Sequence, residues 1–367
     1  MPAFDAYLPE NAERVDIAAL DSFCRAVLAG AGAGDATADA ATRAMMHGSR
    51  LGIDSHGVRL LEHYVAGLTG GRVNPRPAMR LDASSGAVAT LDADDGHGAL
   101  AAYTAMEHAV RLAGAMGLGA VAIRNTSHFG PAGAYAMAAA EAGTIGLAFC
   151  NSDSFVRLHG GASRFHGTNP IACAVPVAGG RPWLLDMATS AIPYNRIQLY
   201  KSLGRKLPVG TASAGDGSDT EDAGLTEMLA PLGGEFGFKG AGLAGLVEIF
   251  SSVLTGMNLS FDIAPMGGPD FSRPRGMGAF VLAIRPNAFV DAAAFEAGMR
   301  RYVHTLRWSA ARPGESVLAP GDREWAEADR REVQGIPVDP VTADAFARLA
   351  ERYGLQLPFA GRTAARA

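Results

Sequence analysis

Two short elements carry the residues best suited to chemistry. One is Ser55-His56-Gly57, inside Leu51-Gly-Ile-Asp-Ser-His-Gly-Val-Arg-Leu60; the other is His128, inside Asn125-Thr-Ser-His-Phe-Gly130. Each sets an imidazole beside a hydroxyl and a glycine. Imidazole changes charge near neutral pH, so this equipment suits moving a proton to or from a small polar substrate. A third group is Asp186, in the otherwise apolar run Trp183-Leu-Leu-Asp-Met187. A carboxylate there needs a partner: either backbone amides, or a histidine whose tautomer it would fix. A Ser-His pair at a helix start is also an ordinary cap beside a hydrogen-bonded histidine.

The elements that must position these groups read as follows. Apolar spacing predicts helices over 16–28, from about 35 to 50, and over 58–68, with Gly30 to Gly34 breaking the first two apart. Residues 119–124, 144–150, 171–176, 183–187 and 277–285 read as strands, and 131–142 as a helix with Pro131 early and Gly143 at its end. Further helical stretches are 243–254, 292–306 and 342–353. Residues 204–224 and 258–278 are rich in glycine and polar or proline residues and read as long loops, a length usual in lids and binding loops. One strand–helix–strand passage with several close strands argues for an α/β fold built on a mixed sheet.

Composition narrows the function. The chain has 367 residues, 48% of them hydrophobic, enough for two packed domains. Its net charge of −5 is spread along the chain without a basic stripe, which argues against a nucleic-acid partner. No apolar run is long enough for a bilayer, and Met1 to Leu8 carries no secretory pattern. Cys24, Cys150 and Cys173 form no paired spacing, which points to reduced thiols and a cytoplasmic setting. No metal site is expected: HExxH and paired cysteines are absent. Gly240-Ala-Gly-Leu-Ala-Gly245 matches GxGxxG, but no strand precedes it, so it does not define a Rossmann fingerprint. Lys239 beside that helix start suits a phosphate or carboxylate.

Taken together, six segments resemble the second, non-Rossmann malate/L-lactate dehydrogenase family. They are 52–57, 125–130, 164–172 (Arg-Phe-His-Gly-Thr-Asn-Pro-Ile-Ala), 185–190 (Leu-Asp-Met-Ala-Thr-Ser), 238–244 (Phe-Lys-Gly-Ala-Gly-Leu-Ala) and 335–339 (Gly-Ile-Pro-Val-Asp). The resemblance covers nearly the whole chain. It implies an oxidoreductase using NAD or NADP that moves a hydride to or from C2 of a small carboxylic acid. It implies a mixed-sheet NAD(P)-binding domain over 119–286 and a helical substrate and dimerisation domain made of 1–118 with 287–367. It further implies a homodimer with the active site at the interface. By the same resemblance His128 is the first choice for acid/base, His56 the next, with Ser55, His56 and Asp186 as a relay. Ser152, Asp186, Met187, Ala188, Lys239, Gly240, Pro320 and Gly321 resemble cofactor contacts, and Ser55, Arg59 and Tyr64 substrate contacts.

Two positions depart from the family pattern. Many members carry Arg five residues after the motif serine, where it grips the substrate carboxylate; here that place is Leu60, with Arg59 before it. One residue on a helix rotates a side chain by about 100°, which leaves Arg157 as another candidate. Asp153 stands where an apolar residue is common. The reading thus holds a 2-oxo/2-hydroxy acid dehydrogenase first, a reductase of cyclic or N-alkyl 2-imino acids second, and a non-catalytic nucleotide-binding oligomer third.

Overall fold

A computed structural model describes residues 13–202 and 204–359. The segment Met1 to Leu8 lies outside the described residues. In chain order the elements are β1 (Glu13–Val15), α1 (Ile17–Gly30), α2 (Asp35–Arg50), α3 (Leu61–Gly70), β2 (Arg80–Ser85), β3 (Val88–Gly96), α4 (Gly98–Met116), β4 (Leu118–Thr126), α5 (Gly133–Glu141) and β5 (Ile145–Cys150). Then come β6 (Val156–Arg157), β7 (Arg164–His166), β8 (Ile171–Val175), β9 (Trp183–Met187), α6 (Tyr194–Ser202), β10 (Ala212–Ser213), β11 (Met228–Leu229) and α7 (Phe238–Glu248). The chain closes with β12 (Met277–Ile284), α8 (Ala292–Arg307), α9 (Asp322–Gln334), β13 (Ile336–Val338) and α10 (Pro340–Tyr353).

The main sheet has seven strands in the order β2-β3-β4-β12-β5-β8-β9. Only β3 and β4 run parallel within it; the other neighbours are antiparallel. The mixed sheet is therefore as expected. The helices α4 and α5 lie on it through alanines, among them Ala101, Ala105, Ala109, Ala136 and Ala139, all fully buried. Small side chains let the helices sit close to strand residues such as Ile123 and Val281, each worth roughly 1.5–3 kcal/mol when fully buried. β9 is an edge strand, and β4 lies two strands in from the opposite edge.

A second core joins the two ends of the chain. Leu20, Val27, Met45, Leu61 and Val65 pack there with Ile336, Phe346 and Leu349. α2 contributes to both cores, through Ala40 and Ala44 on one side and Ala41 and Met45 on the other. The expected division at 118/119 falls one residue into β4, and β2 and β3 hydrogen-bond into the main sheet. α4 packs on that sheet and also against α2, where Arg43 lies over the Tyr103 ring.

Other differences are local. Residues 54–60 form two 3-10 turns before α3, because Gly57, with φ −91° and ψ −150°, interrupts the helical path. α7 begins at Phe238, so the GxGxxG glycines lie within the helix, which runs on into a π-helical turn over Ile249–Val253. Among the described residues no helix is long and apolar enough to cross a membrane.

Candidate active site

The site is assembled where three segments meet: the 3-10 turns ahead of α3, the start of α3, and the chain leaving β4. Ser55 Oγ lies 2.9 Å from His56 Nδ1. The His56 ring stacks on His128 with centroids 5.8 Å apart. Tyr64, buried in the first turns of α3, places its hydroxyl 3.2 Å from His128 Nδ1. His63 meets His128 edge-on at 6.2 Å, and His97 lies 4.3 Å from Tyr64, centroid to centroid. The two Ser-His elements, seventy residues apart in sequence, thus form one cluster.

The turn carrying Ser55 and His56 is held from below. Arg331 of α9, with no exposed surface, donates to Asp54 Oδ1 at 2.6 Å, to Asp54 Oδ2 at 2.9 Å and to the Ser49 carbonyl at 2.5 Å, and also bonds Glu327. Burial works against the guanidinium charge, but Asp54 and Glu327 more than offset it and hold its pKa above the ordinary arginine value.

Electrostatics keep the imidazoles neutral at physiological pH. Burial lowers His56 to about 4 and His63 to about 4, the latter aided by Arg275 and Arg72. His128 falls well below 6.5, through burial first and then His56, His63 and Arg275. Burial raises the Tyr64 phenol above its usual range, so it stays protonated. A neutral imidazole with one nitrogen engaged and the other free is in the form needed to accept a proton.

Asp186 does something other than orient a histidine. Its Oδ2 accepts from the backbone N–H of Gly133 at 2.9 Å, at the first residue of α5, and no histidine among the described residues hydrogen-bonds it. The contact requires glycine: a Cβ on residue 133 would lie 2.6 Å from Asp186 Oδ2. Burial raises Asp186 to about 6, against the lowering effect of the Gly133 bond.

The other expected cofactor residues follow the edge strand β9. Pro320 O accepts from Leu184 N at 3.2 Å, which sets the Pro320-Gly321 turn beside the start of β9. Asp186, Met187 and Ala188 form its end and exit. Past them, Thr189 O accepts from Leu232 N at 2.9 Å, and Gly240 packs against the Leu232 backbone. Ser152 Oγ accepts from Thr168 N at 3.2 Å, and Thr168 O in turn accepts from Thr189 N. The first turn of α7 has no side-chain cap on Gly237, and Lys239 stands exposed there with Nζ 5.2 Å from the Phe236 ring. Free helix-start amides beside a lysine fit a phosphate. A lysine at a helix start is a donor set of the kind that fits the phosphates of a dinucleotide.

Two expected cations lie elsewhere. Arg59 is about half exposed, and its Nη1 is 3.8 Å from Asp339 Oδ2. Arg157 is tied to Ser213 and Asp219. The cations that act on the histidine cluster are Arg275 and Arg72. Arg275, 2% exposed, pairs with Asp153 and donates to the Ala264 carbonyl. Arg72 donates to the carbonyls of Met266 and Asp270 and stacks on Phe271. Sequence reading missed both, with His63 and His97, because they come from loops and from spacings that carry no motif. Asp153 did carry a signal, as a charge in an apolar position.

The chain is similar to known proteins over most of its length. The family model for malate/L-lactate dehydrogenase matches residues 15–347. A malate dehydrogenase of Pyrococcus abyssi is 34% identical over 358 residues, covering 95% of this chain and 98% of that one. A Δ1-pyrroline-2-carboxylate reductase of Ancylobacter novellus is 31% identical, covering 89% of this chain and 94% of that one. The crystal structure of malate dehydrogenase from Entamoeba histolytica superposes with a TM-score of 0.89 at 28% identity, over 95% of this chain and all of that one. The fold and site define a nicotinamide-dependent dehydrogenase or reductase built without a Rossmann domain. The chain belongs to the malate/L-lactate dehydrogenase family.

Proposed function

We propose that this enzyme moves a hydride between a nicotinamide dinucleotide and C2 of a small 2-oxo or 2-hydroxy acid, with His128 carrying the accompanying proton. The observation that carries this reading is the Tyr64 hydroxyl on His128 Nδ1, at 3.2 Å, with His56 stacked on the same ring. A phenol can donate to Nδ1 or accept from Nδ1–H. It engages that nitrogen and leaves Nε2 for the reacting oxygen. In the oxidation direction Nε2 takes the hydroxyl proton while Nδ1–H is held by the phenol oxygen. In the reduction direction Nε2–H returns the proton to the oxygen formed at C2. The coenzyme, when bound, supplies or accepts the hydride.

His56 with Ser55 forms the second proton-carrying pair. Asp186, Met187, Ala188, Ser152, Lys239, Gly240, Pro320 and Gly321 are the coenzyme-binding candidates. Ser55 and Tyr64 are the substrate-contact candidates, while Arg275, held by Asp153 and the Ala264 carbonyl, and Arg72, held by the Met266 and Asp270 carbonyls, set positive charge beside the cluster.

The reductase alternative, acting on cyclic or N-alkyl 2-imino acids, is favoured by one observation: the similarity to a Δ1-pyrroline-2-carboxylate reductase. A homodimer with the site near its interface is supported by exposed apolar surface. α8 buries only Val303, with Phe289, Tyr302 and Trp308 exposed, and Leu246, Ile249, Val253 and Leu254 are exposed on α7 and its π-helical extension. Free Cys24, Cys150 and Cys173 suit a reducing, cytoplasmic compartment.

The test is oxidation of NADH and of NADPH with pyruvate, oxaloacetate, 2-oxoglutarate and phenylpyruvate, each alone and with methylamine, and with piperideine-2-carboxylate. Turnover of a bare 2-oxo acid supports the hydroxy-acid reading. Turnover only with amine or the cyclic imine replaces it by the alternative.

A further inference from the structure

His97 is the most deeply buried imidazole of the cluster, 1% exposed, and nothing above assigns it a role. Its Nδ1 accepts from the backbone N–H of Ala99 at 3.1 Å, so its ring caps the start of α4. That bond leaves the proton of the neutral ring on Nε2, which is buried without a hydrogen-bond partner. Inaccessible to solvent, His97 is not placed to meet a substrate directly. Its ring instead packs edge-to-face with Tyr64 at 4.3 Å and 83°. Tyr64 also meets the His128 ring at 6.0 Å and the His63 ring at 5.9 Å.

The loops bearing His97 and His128 are clamped to each other. Ser127 Oγ accepts from Gly98 N at 3.0 Å and donates to the Gly96 carbonyl at 3.1 Å. Asn125 Nδ2 donates to Asp92 Oδ1 at 3.0 Å, and Asp94 N donates to the same oxygen at 3.0 Å. A Cβ on residue 98 would collide with the backbone of Ser127 and His128. Asp94, Asp95 and Asn125 all hold left-handed backbone, with φ of 53°, 53° and 49°. These three residues end β3 and β4 just ahead of His97 and His128, and their short polar side chains suit that backbone.

We propose that His97 is a positioning residue that acts through Tyr64, holding the phenol hydroxyl on Nδ1 of His128 and so governing which nitrogen of His128 is free for proton transfer. The groups facing His128 are then His56, His63, Tyr64, Arg275 and, in contact with Tyr64, His97. The inference rests on His128 as the proton carrier.

Two substitutions separate the ring from the cap. His97→Asn keeps a side-chain acceptor for the start of α4 and loses the ring; His97→Phe keeps the ring and loses the acceptor. Both are assayed with NADH or NADPH and pyruvate, oxaloacetate and 2-oxoglutarate, across pH, beside Tyr64→Phe, the double variant Tyr64→Phe/His97→Asn, and His128→Ala. Positioning through Tyr64 predicts that His97→Asn lowers kcat about tenfold with KM within about twofold, and displaces the pH profile. His97→Phe stays within about threefold of wild type with an unmoved profile. In the Tyr64→Phe background His97→Asn has no further effect. The reverse pattern, with His97→Phe the damaging change, assigns His97 to capping alone and overturns the proposal. So do a silent His97→Asn or an undiminished effect in the Tyr64→Phe background. Undiminished turnover of His128→Ala overturns the proton-transfer reading itself and this proposal with it. A damaging His128→Ala beside a silent His97→Asn overturns only this one.

Discussion

Arg331 and Asp54 are joined by a two-pronged ion pair, 2.6 and 2.9 Å, that spans 277 residues of sequence. It fastens α9 to the turn that begins the Ser55–His56 element. The arginine also satisfies the Ser49 carbonyl at the end of α2 and the carboxylate of Glu327. One buried side chain therefore fixes the height and orientation of the turn on which half of the site is built.

Removing it is costly. Arg331→Met removes both prongs to Asp54 and the bond to the Ser49 carbonyl and leaves the buried Glu327 to Arg330, and a loss of about 3 kcal/mol is expected from breaking a pair of this kind. Arg50→Met, which removes a surface pair with Glu332 at 2.7 Å, is expected to cost under about 1 kcal/mol. Urea unfolding of the two variants beside wild type measures the contrast, and equal effects would deny the anchoring role.

Acid should destabilise the fold through its neutral imidazoles. His47, His56 and His63 are lowered to about 4, His97 to about 3, and His128 well below 6.5, burial being the leading cause in each. Between about pH 4 and 6.5 the unfolded chain binds more protons than the folded one, so unfolding free energy falls as pH falls. Their contribution is complete above pH 6.5. Asp186, raised to about 6, and Asp95, also raised by burial, act with the opposite sign, but are two groups against five. Denaturant midpoints at pH 7.5, 6.0 and 5.0 should decrease in that order.

The same lowering sets the kinetics. In the oxidation direction kcat/KM for the free enzyme should hold steady as pH drops through 6.5 and fall only well below it, in the range where the protein stays folded. An acid limb centred at 6.5 or above would mean that the proton carrier is not a buried imidazole of this cluster.

Lys239→Ala should weaken coenzyme binding several-fold, with the deficit shrinking as salt rises, because the lysine is exposed and its attraction is screened. Arg59→Ala should leave KM for the acid within about twofold, since the side chain turns to Asp339. Coenzyme fluorescence titration and steady-state kinetics check the pair. An unchanged coenzyme Kd in Lys239→Ala would remove the phosphate role.

Much of the framework was legible in the chain. The apolar strands 119–124 and 144–150 and the helix between them have periodicities that tertiary packing did not override. The Ser-His elements were legible as chemistry because hydroxyl, imidazole and glycine are adjacent in sequence. β2 and β3 were not read: Asp92, Asp94 and Asp95 interrupt the alternation, and the carboxylates of Asp92 and Asp94 instead accept from Asn125, Asn74 and backbone amides. α4 was missed because its buried face is alanine, which gives little apolar contrast. Asp186 was readable as a carboxylate needing a partner, but whether amide or imidazole supplied it depended on where α5 begins. Arg275, Arg72 and His97 reach the cluster only through long-range folding, which no local spacing reports.

In the proposed reaction hydride moves at C2 while His128 carries the proton. The most direct measurement supplies coenzyme deuterated at nicotinamide C4 to wild type and to His128→Ala with the accepted 2-oxo acid, and follows the product by NMR. The account predicts deuterium at C2 of the wild-type product and a rate lower by about a hundredfold or more in His128→Ala, with coenzyme binding retained. Deuterium absent from C2, or a His128→Ala variant turning over at the wild-type rate, would contradict it.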